Sequence, residues 1–245
     1  DISDESYNLF RRIPAVADRT PMVYFGTNDG IIHAMVLASG TTPMGTVVTE
    51  GQELWGFVPP AVLPLLNGSR SAHQFLVDGP PVVRDVFFRR RPGDAPDGSQ
   101  YHTVLLMGLR QGGTQYIALD VTNPEAPVFL WQWTHEHMGA TYGRPALTQA
   151  LVDLGSGPEE RAVAILPGGM GTRGPGSCTL LPTNRAPRSA GQTTDARPQN
   201  SCWTGGAGRS FHVVDVATGE RIRSWDATTI QTPISGSVSL FTGQT

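Results

Sequence analysis

Tyr116-Ile117-Ala118-Leu119-Asp120-Val121 and Ser210-Phe211-His212-Val213-Val214-Asp215-Val216 are two versions of one phrase, an apolar run closing on Asp-Val. Each leads into a turn that contains threonine, Thr122-Asn123-Pro124 in the first and Thr218-Gly219 in the second. Apolar runs of this length bounded by turn formers read as strands. Working outward from the first copy, the spacing predicts strands over Pro81–Phe88, His102–Gly108, Gln115–Val121 and Val128–Thr134. Arg110-Gln111-Gly112-Gly113 links the middle pair and Trp131 lies in the last strand. Around the second copy the same order gives Arg144–Val152, Arg161–Pro167, Arg209–Val216 and Glu220–Trp225. A shorter unit precedes both, with Met22–Gly26, Ile31–Leu37 and Glu53–Val58, a hairpin turn at Asn28-Asp29-Gly30, and Trp55. A further strand is predicted to start at Thr232 and run to Phe241.

A unit of four strands recurring with a Trp in its last strand points to the blades of a β-propeller. One such sheet has two faces and cannot bury both by itself, so blades stack around an axis. Trp55, Trp131 and Trp225 are the side chains expected to fill the space between neighbours. Three strands, four, four and one amount to about three blade-equivalents, fewer than the four to eight blades of closed propellers. The reading is therefore an all-β partial propeller, one domain over residues 1–245 that is incomplete at its C-terminus. The competing architecture is a β-sandwich or irregular barrel, which leaves the repeated Trp without a reason. Short helices are expected around Tyr7–Arg12 and within Ala61–Leu66.

Composition agrees. Of 245 residues, 16% are charged, while 29 Gly and 20 Pro supply turns for many short strands. The net charge is −3 and the basic residues include no Lys, so no broad cationic surface for nucleic acid is implied. Arg89-Arg90-Arg91 reads as a solvated strand edge. No apolar stretch is long enough to span a bilayer.

Cys178 and Cys202 flank a polar segment, and a disulfide between them would pinch a loop insertion over residues 172–208. Closing that loop contributes roughly 3 kcal/mol in the chain-entropy model and requires an oxidising compartment. Two unpaired thiols are the other reading.

Several motifs go beyond blade pattern. They are Tyr24-Phe25-Gly26-Thr27-Asn28-Asp29-Gly30-Ile31-Ile32-His33-Ala34, Glu53-Leu54-Trp55-Gly56-Phe57-Val58-Pro59, His73-Gln74-Phe75-Leu76-Val77-Asp78-Gly79, Tyr116 through Pro124, and Gly139-Ala140-Thr141-Tyr142-Gly143-Arg144-Pro145. In this order they resemble the C-terminal propeller of the PilC/PilY1 family, adhesins and assembly factors associated with type IV pilus tips. The resemblance covers about residues 20–170, with blade pattern alone beyond. It implies an exported protein at a pilus tip, the cell surface or the periplasm. Its partners would be minor pilins of the tip complex, with a surface or host-cell receptor in some members. Many members carry an aspartate-rich calcium loop, and no such loop stands in this sequence, since Gly93-Asp94-Ala95-Pro96-Asp97-Gly98 lacks the alternating oxygen ligands.

Little catalytic chemistry is visible. His135 and His137, two apart, would share a strand face as metal ligands do, but no third ligand is evident in the sequence. His33, His73 and His212 read as structural histidines. The glycines at Leu109–Thr114 and Gly168–Gly176 lack the Lys of a phosphate loop. Ser69, Ser71, His73 and Asp78 share a segment without a nucleophile elbow, and Glu159-Glu160 lies in a charged turn. The function expected is binding and scaffolding, not catalysis, carried by loops such as Pro59–Gly79 and the insertion between the cysteines. A quinone-dependent dehydrogenase-like propeller fragment and a carbohydrate-binding propeller are the alternatives.

Overall fold

The structure, a computed structural model, describes residues 4–69, 71–88, 100–155, 157–171, 205–230 and 232–239. Cys178, Cys202, Arg89-Arg90-Arg91 and Gly93–Gly98 lie outside the described residues.

Two helices open the chain, α1 (Asp4–Arg12) and α2 (Pro14–Ala17). The first sheet follows, with β1 (Met22–Gly26), β2 (Ile32–Val36) and β5 (Glu53–Phe57) in that order, every pair antiparallel. Between β2 and β5 rises a small hairpin of β3 (Gly40–Thr41) and β4 (Val47–Val48). This hairpin was not expected. It turns on Gly45 at φ 86°, and the Thr42 hydroxyl accepts the Thr46 N–H at 3.1 Å. A 3₁₀ turn (Leu63–Leu65) and α3 (Leu66–Ser69) then lead to the second sheet.

That sheet runs β6 (Val82–Phe87), β7 (Tyr101–Gly108), β8 (Tyr116–Asp120) and β9 (Val128–Trp133). The third repeats it as β10 (Ala146–Asp153), β11 (Pro158–Pro167), β12 (Phe211–Asp215) and β13 (Arg221–Trp225). In each sheet strands pair antiparallel in sequence order, the meander of a propeller blade.

Burial of the middle blade is two-sided. Every residue of β7 and β8 is buried. Side chains alternate across a strand, so Val104, Leu106, Tyr116 and Ala118 pack with Leu147, Ala162, Ala164 and Val214 of the third blade. Leu105, Met107, Ile117 and Leu119 pack on the other face with Ile32 and, at its margin, Tyr24 and Trp55 of the first. Large apolar side chains buried in this way contribute roughly 1.5–3 kcal/mol each. Two packed seams with a blade between them are a propeller stack and not a two-layer sandwich. The described residues thus form β-propeller blades, one three-stranded and two four-stranded.

Helix α1 closes one end of the middle blade, where Phe10 and Tyr7 lie 5.5 and 5.2 Å from the Tyr101 ring and Tyr7 donates to Asp85 Oδ2 at 3.0 Å. The strand expected from Thr232 is not formed within 232–239. Pro233 has no N–H to give a ladder, Ile234 N–H bonds to the Gly208 carbonyl, and Val238 N–H bonds to that of Arg144. The segment therefore ties together loops of the third blade.

Candidate functional site

The seams and the loops around them hold the residues singled out above. At the first seam the Trp55 ring lies 5.7 Å from that of Tyr24, and its Nε1–H donates to the Pro124 carbonyl at 2.8 Å. At the second, buried Trp131 donates Nε1–H to the Val216 carbonyl at 2.9 Å. The two residues are register equivalents: Trp55 pairs with Ala34 and Trp131 with Ala118, each immediately before a bulge. Each indole thus reaches from the last strand of one blade to the turn after the third strand of the next.

Trp225 stands differently. In the third blade the bulge follows Val213, whose partner is Arg223, while Trp225 pairs with Phe211. Arg223 therefore takes the register position of Trp55 and Trp131, and Trp225 matches Trp133, which pairs with Tyr116. A two-residue offset keeps the side chain on the same face. Trp225 is 38% exposed, with the Arg223 guanidinium 5.8 Å from its ring centre. Sequence spacing places a Trp within a strand, but the bulge sets which backbone position it takes.

The turns that receive the indoles are built on aspartates. Asp120 Oδ1 accepts the backbone N–H of Thr122 at 2.9 Å and its hydroxyl at 2.6 Å, and Oδ2 lies 2.8 Å from His102 Nδ1. Burial works to raise the Asp120 carboxyl, but hydrogen bonds from His102 and Thr122 outweigh it and hold the group well below the usual carboxylate range. Asp215 Oδ1 accepts the N–H groups of Ala217 and Thr218, and Oδ2 accepts from Arg161 at 2.9 Å. In the first blade Val36 follows Ala34 where Asp120 follows Ala118, and the β3–β4 hairpin replaces the tight turn.

Pro59–Gly79 is pinned to the blades. Ala61 N–H donates to Gln132 Oε1 at 2.8 Å, and Val62, Leu76 and Val77 are buried. A Cβ on Gly112 would collide with the Leu76 carbonyl, so this hairpin approaches the segment backbone to backbone. Beside it Arg110 adopts φ 51°, the one non-glycine residue with positive φ among the described residues. Its guanidinium covers the Tyr142 ring at 4.9 Å, and Tyr142 donates its hydroxyl to Gln111 Oε1. Ser71 donates to the Gly68 carbonyl, and His73 packs edge-on against Phe75, so these residues form no Ser-His pair. Glu159 is paired with Arg161 at 2.7 Å.

His33 is bonded on both ring nitrogens, to Glu53 at 2.8 Å and Thr27 at 3.0 Å. His135 and His137 lie beyond the end of β9 and not on a strand, and the fold brings His212 to them, with ring centres 4.7 Å from His135. Sequence reading missed this meeting, because 75 residues separate His137 from His212 and only the stacking of blades joins them. Among the described residues no group of three or more His, Cys, Asp or Glu is arranged to hold a metal ion.

No family model matches the chain. It is 36% identical over 140 residues to the type IV pilus biogenesis factor PilY1 of Pseudomonas aeruginosa UCBPP-PA14, covering 54% of this chain and 10% of that protein. The same factor of strain PAO1 is 39% identical over 133 residues, 52% of this chain and 10% of the relative. About half of the chain is thus similar to PilY1. A PilY1 homolog of Xylella fastidiosa is 32% identical over 157 residues, 60% of this chain and 11% of that protein. Among solved structures, the P. aeruginosa PilY1 C-terminal domain aligns over 85% of this chain and 30% of its own, at 26% identity and a TM-score of 0.49. The chain spans about a tenth of the length of the curated relatives it matches.

Proposed function

We propose that this chain is a binding and scaffolding module of a type IV pilus biogenesis factor. The observation that carries the reading is the 36% identity over 140 residues to PilY1 of P. aeruginosa, a relative named for that role. The side-chain chemistry supports it. The buried aspartates anchor turns, and the described Ser71, His73 and Asp78 do not assemble into a nucleophile with its base. Stacked blades with two-sided burial make a stiff support on which loops such as Pro59–Gly79 are held in fixed places.

In this reading the protein is exported and meets minor pilins at the pilus tip, and adhesion to a surface or host-cell receptor is a further role of the same loops. No described helix is long and apolar enough to cross a membrane. The reading assigns catalysis and cofactors to none of the described residues. Deleting the coding region and scoring surface pili and twitching motility tests it: loss of both is expected, and unchanged piliation and motility would overturn it. Crosslinking from a photoreactive residue placed at Phe75 tests the partner, with capture of minor pilins expected.

A further inference from the structure

Three imidazoles meet where the second and third blades join. His135 and His137 leave the end of β9, and His212 comes from β12. Ring centres are 4.7 Å apart for His135 and His212 and 5.6 Å for His135 and His137. The Trp133 ring lies 4.6 Å from His212 and 6.2 Å from His135. The cluster sits against residues 205–210, which lead into β12. There Gly208 N–H and the Ser210 hydroxyl both bond to the His137 carbonyl, and a Cβ on Gly206 would strike the His137 ring.

Two local arrangements favour neutral rings. His135 Nδ1 lies 3.3 Å from the backbone N–H of His137 and accepts from it, which an imidazolium cannot do. His212 is fully buried, and its Nδ1 is hydrogen-bonded to Ser224 Oγ at 2.7 Å, while its Nε2 has no hydrogen-bond partner among the described residues. A charged His212 would bury an N–H that nothing accepts. We propose that His135 and His212, packed beside His137, form an acid-sensitive latch, which holds the second and third blades and residues 205–210 together while the two rings are neutral and releases them on protonation.

The surrounding charges are mixed. Arg221 and the other imidazoles oppose a proton on His212, while Asp226 favours it, and Glu136 favours one on His135. Glu136 also lies 3.9 Å from His137. Partial burial is the largest influence on His135 and full burial on His212, lowering the first and taking the second to about 4. The sign follows from linkage. A base whose folded value lies below its unfolded one leaves stability intact above about pH 6.5, and loses it as pH falls from there toward the folded value.

The test compares wild-type protein with the His135→Gln/His212→Gln variant, following urea unfolding from pH 7.5 to 4.5. The wild-type unfolding constant is expected to rise on the order of a hundredfold more than the variant's across that range. Hydrogen exchange at Gly139 and Gly208 should quicken in the wild type alone. Parallel pH curves would overturn the proposal. Should the variant not fold, an NMR titration of wild-type imidazoles decides: a His212 signal still neutral at pH 5.5 supports the latch, and one titrating near 6.5 overturns it. A fall in melting temperature at pH 7.5 on adding EDTA would also overturn it, since a resident metal would then explain the cluster.

Discussion

His102 and Arg161 occupy the same register position in successive blades, and each binds the aspartate that caps the following strand. His102 stands two residues before Val104, the partner of Asp120, and Arg161 two before Val163, the partner of Asp215. The repeat therefore conserves a relationship, a nitrogen donor locked to a turn carboxylate, while changing the residue that supplies it.

Breaking this pair strands a buried partner. Asp120→Ala is expected to cost about 3 kcal/mol, because it removes the acceptor for Thr122 and leaves His102 without its hydrogen bond inside the sheet. Asp215→Ala should cost less, since the Arg161 side chain is 32% exposed and water can solvate it. Urea unfolding midpoints at pH 7 measure both.

Acid should reveal Asp120 directly. Its carboxyl is held low in the folded state, so the stability it contributes is present above about pH 4 and is lost as pH falls below that. Melting curves at pH 5, 4 and 3 should descend more steeply for the wild type than for Asp120→Ala, and equal slopes would count against the assignment.

The three tryptophans should not respond alike. Trp131→Phe removes a buried indole donor and orphans the Val216 carbonyl, at about 1–2 kcal/mol, and Trp55→Phe does the same at Pro124. Trp225→Phe should stay within about 0.5 kcal/mol, since that ring is partly exposed and no group among the described residues accepts its indole N–H. Denaturation midpoints of the three variants give the ranking.

Gly219 lies against the Trp131 indole, with φ at 75° and room for no Cβ, which would stand 2.8 Å from Cγ. Gly219→Ala should therefore cost about 2 kcal/mol, from both the left-handed backbone and the displaced ring. A shifted Trp emission maximum in the folded variant would locate the damage.

The blades were legible because both their strands and their turns are local. Tyr116–Val121 and Ser210–Val216 carry the same apolar run and the same Asp-Val ending, and the strands observed differ from those expected by a few residues at their ends. The order of motifs likewise anticipated the likeness to PilY1. Position within the ladder was not legible. A bulge decides that Arg223 and not Trp225 answers to Trp131, and nothing in the spacing of the tryptophans reports it. Nor was the meeting of His135 with His212, which depends on one sheet lying against the next. The segment from Thr232 misled because Ile234 and Val238 alternate with polar residues as a strand would, yet their N–H groups bond to separate loops.

Leu105 and Leu106 look in opposite directions from the same strand, and each meets another blade. Neither neighbour in the sequence is free to vary at solvent's indifference, so a library of random substitutions should find β7 and β8 the least forgiving stretches of the chain. Diversity would collect instead on the rims, where Met44, Val47 and Leu151 already stand in water. New binding specificities can arise there without disturbing the wall of sheet behind them.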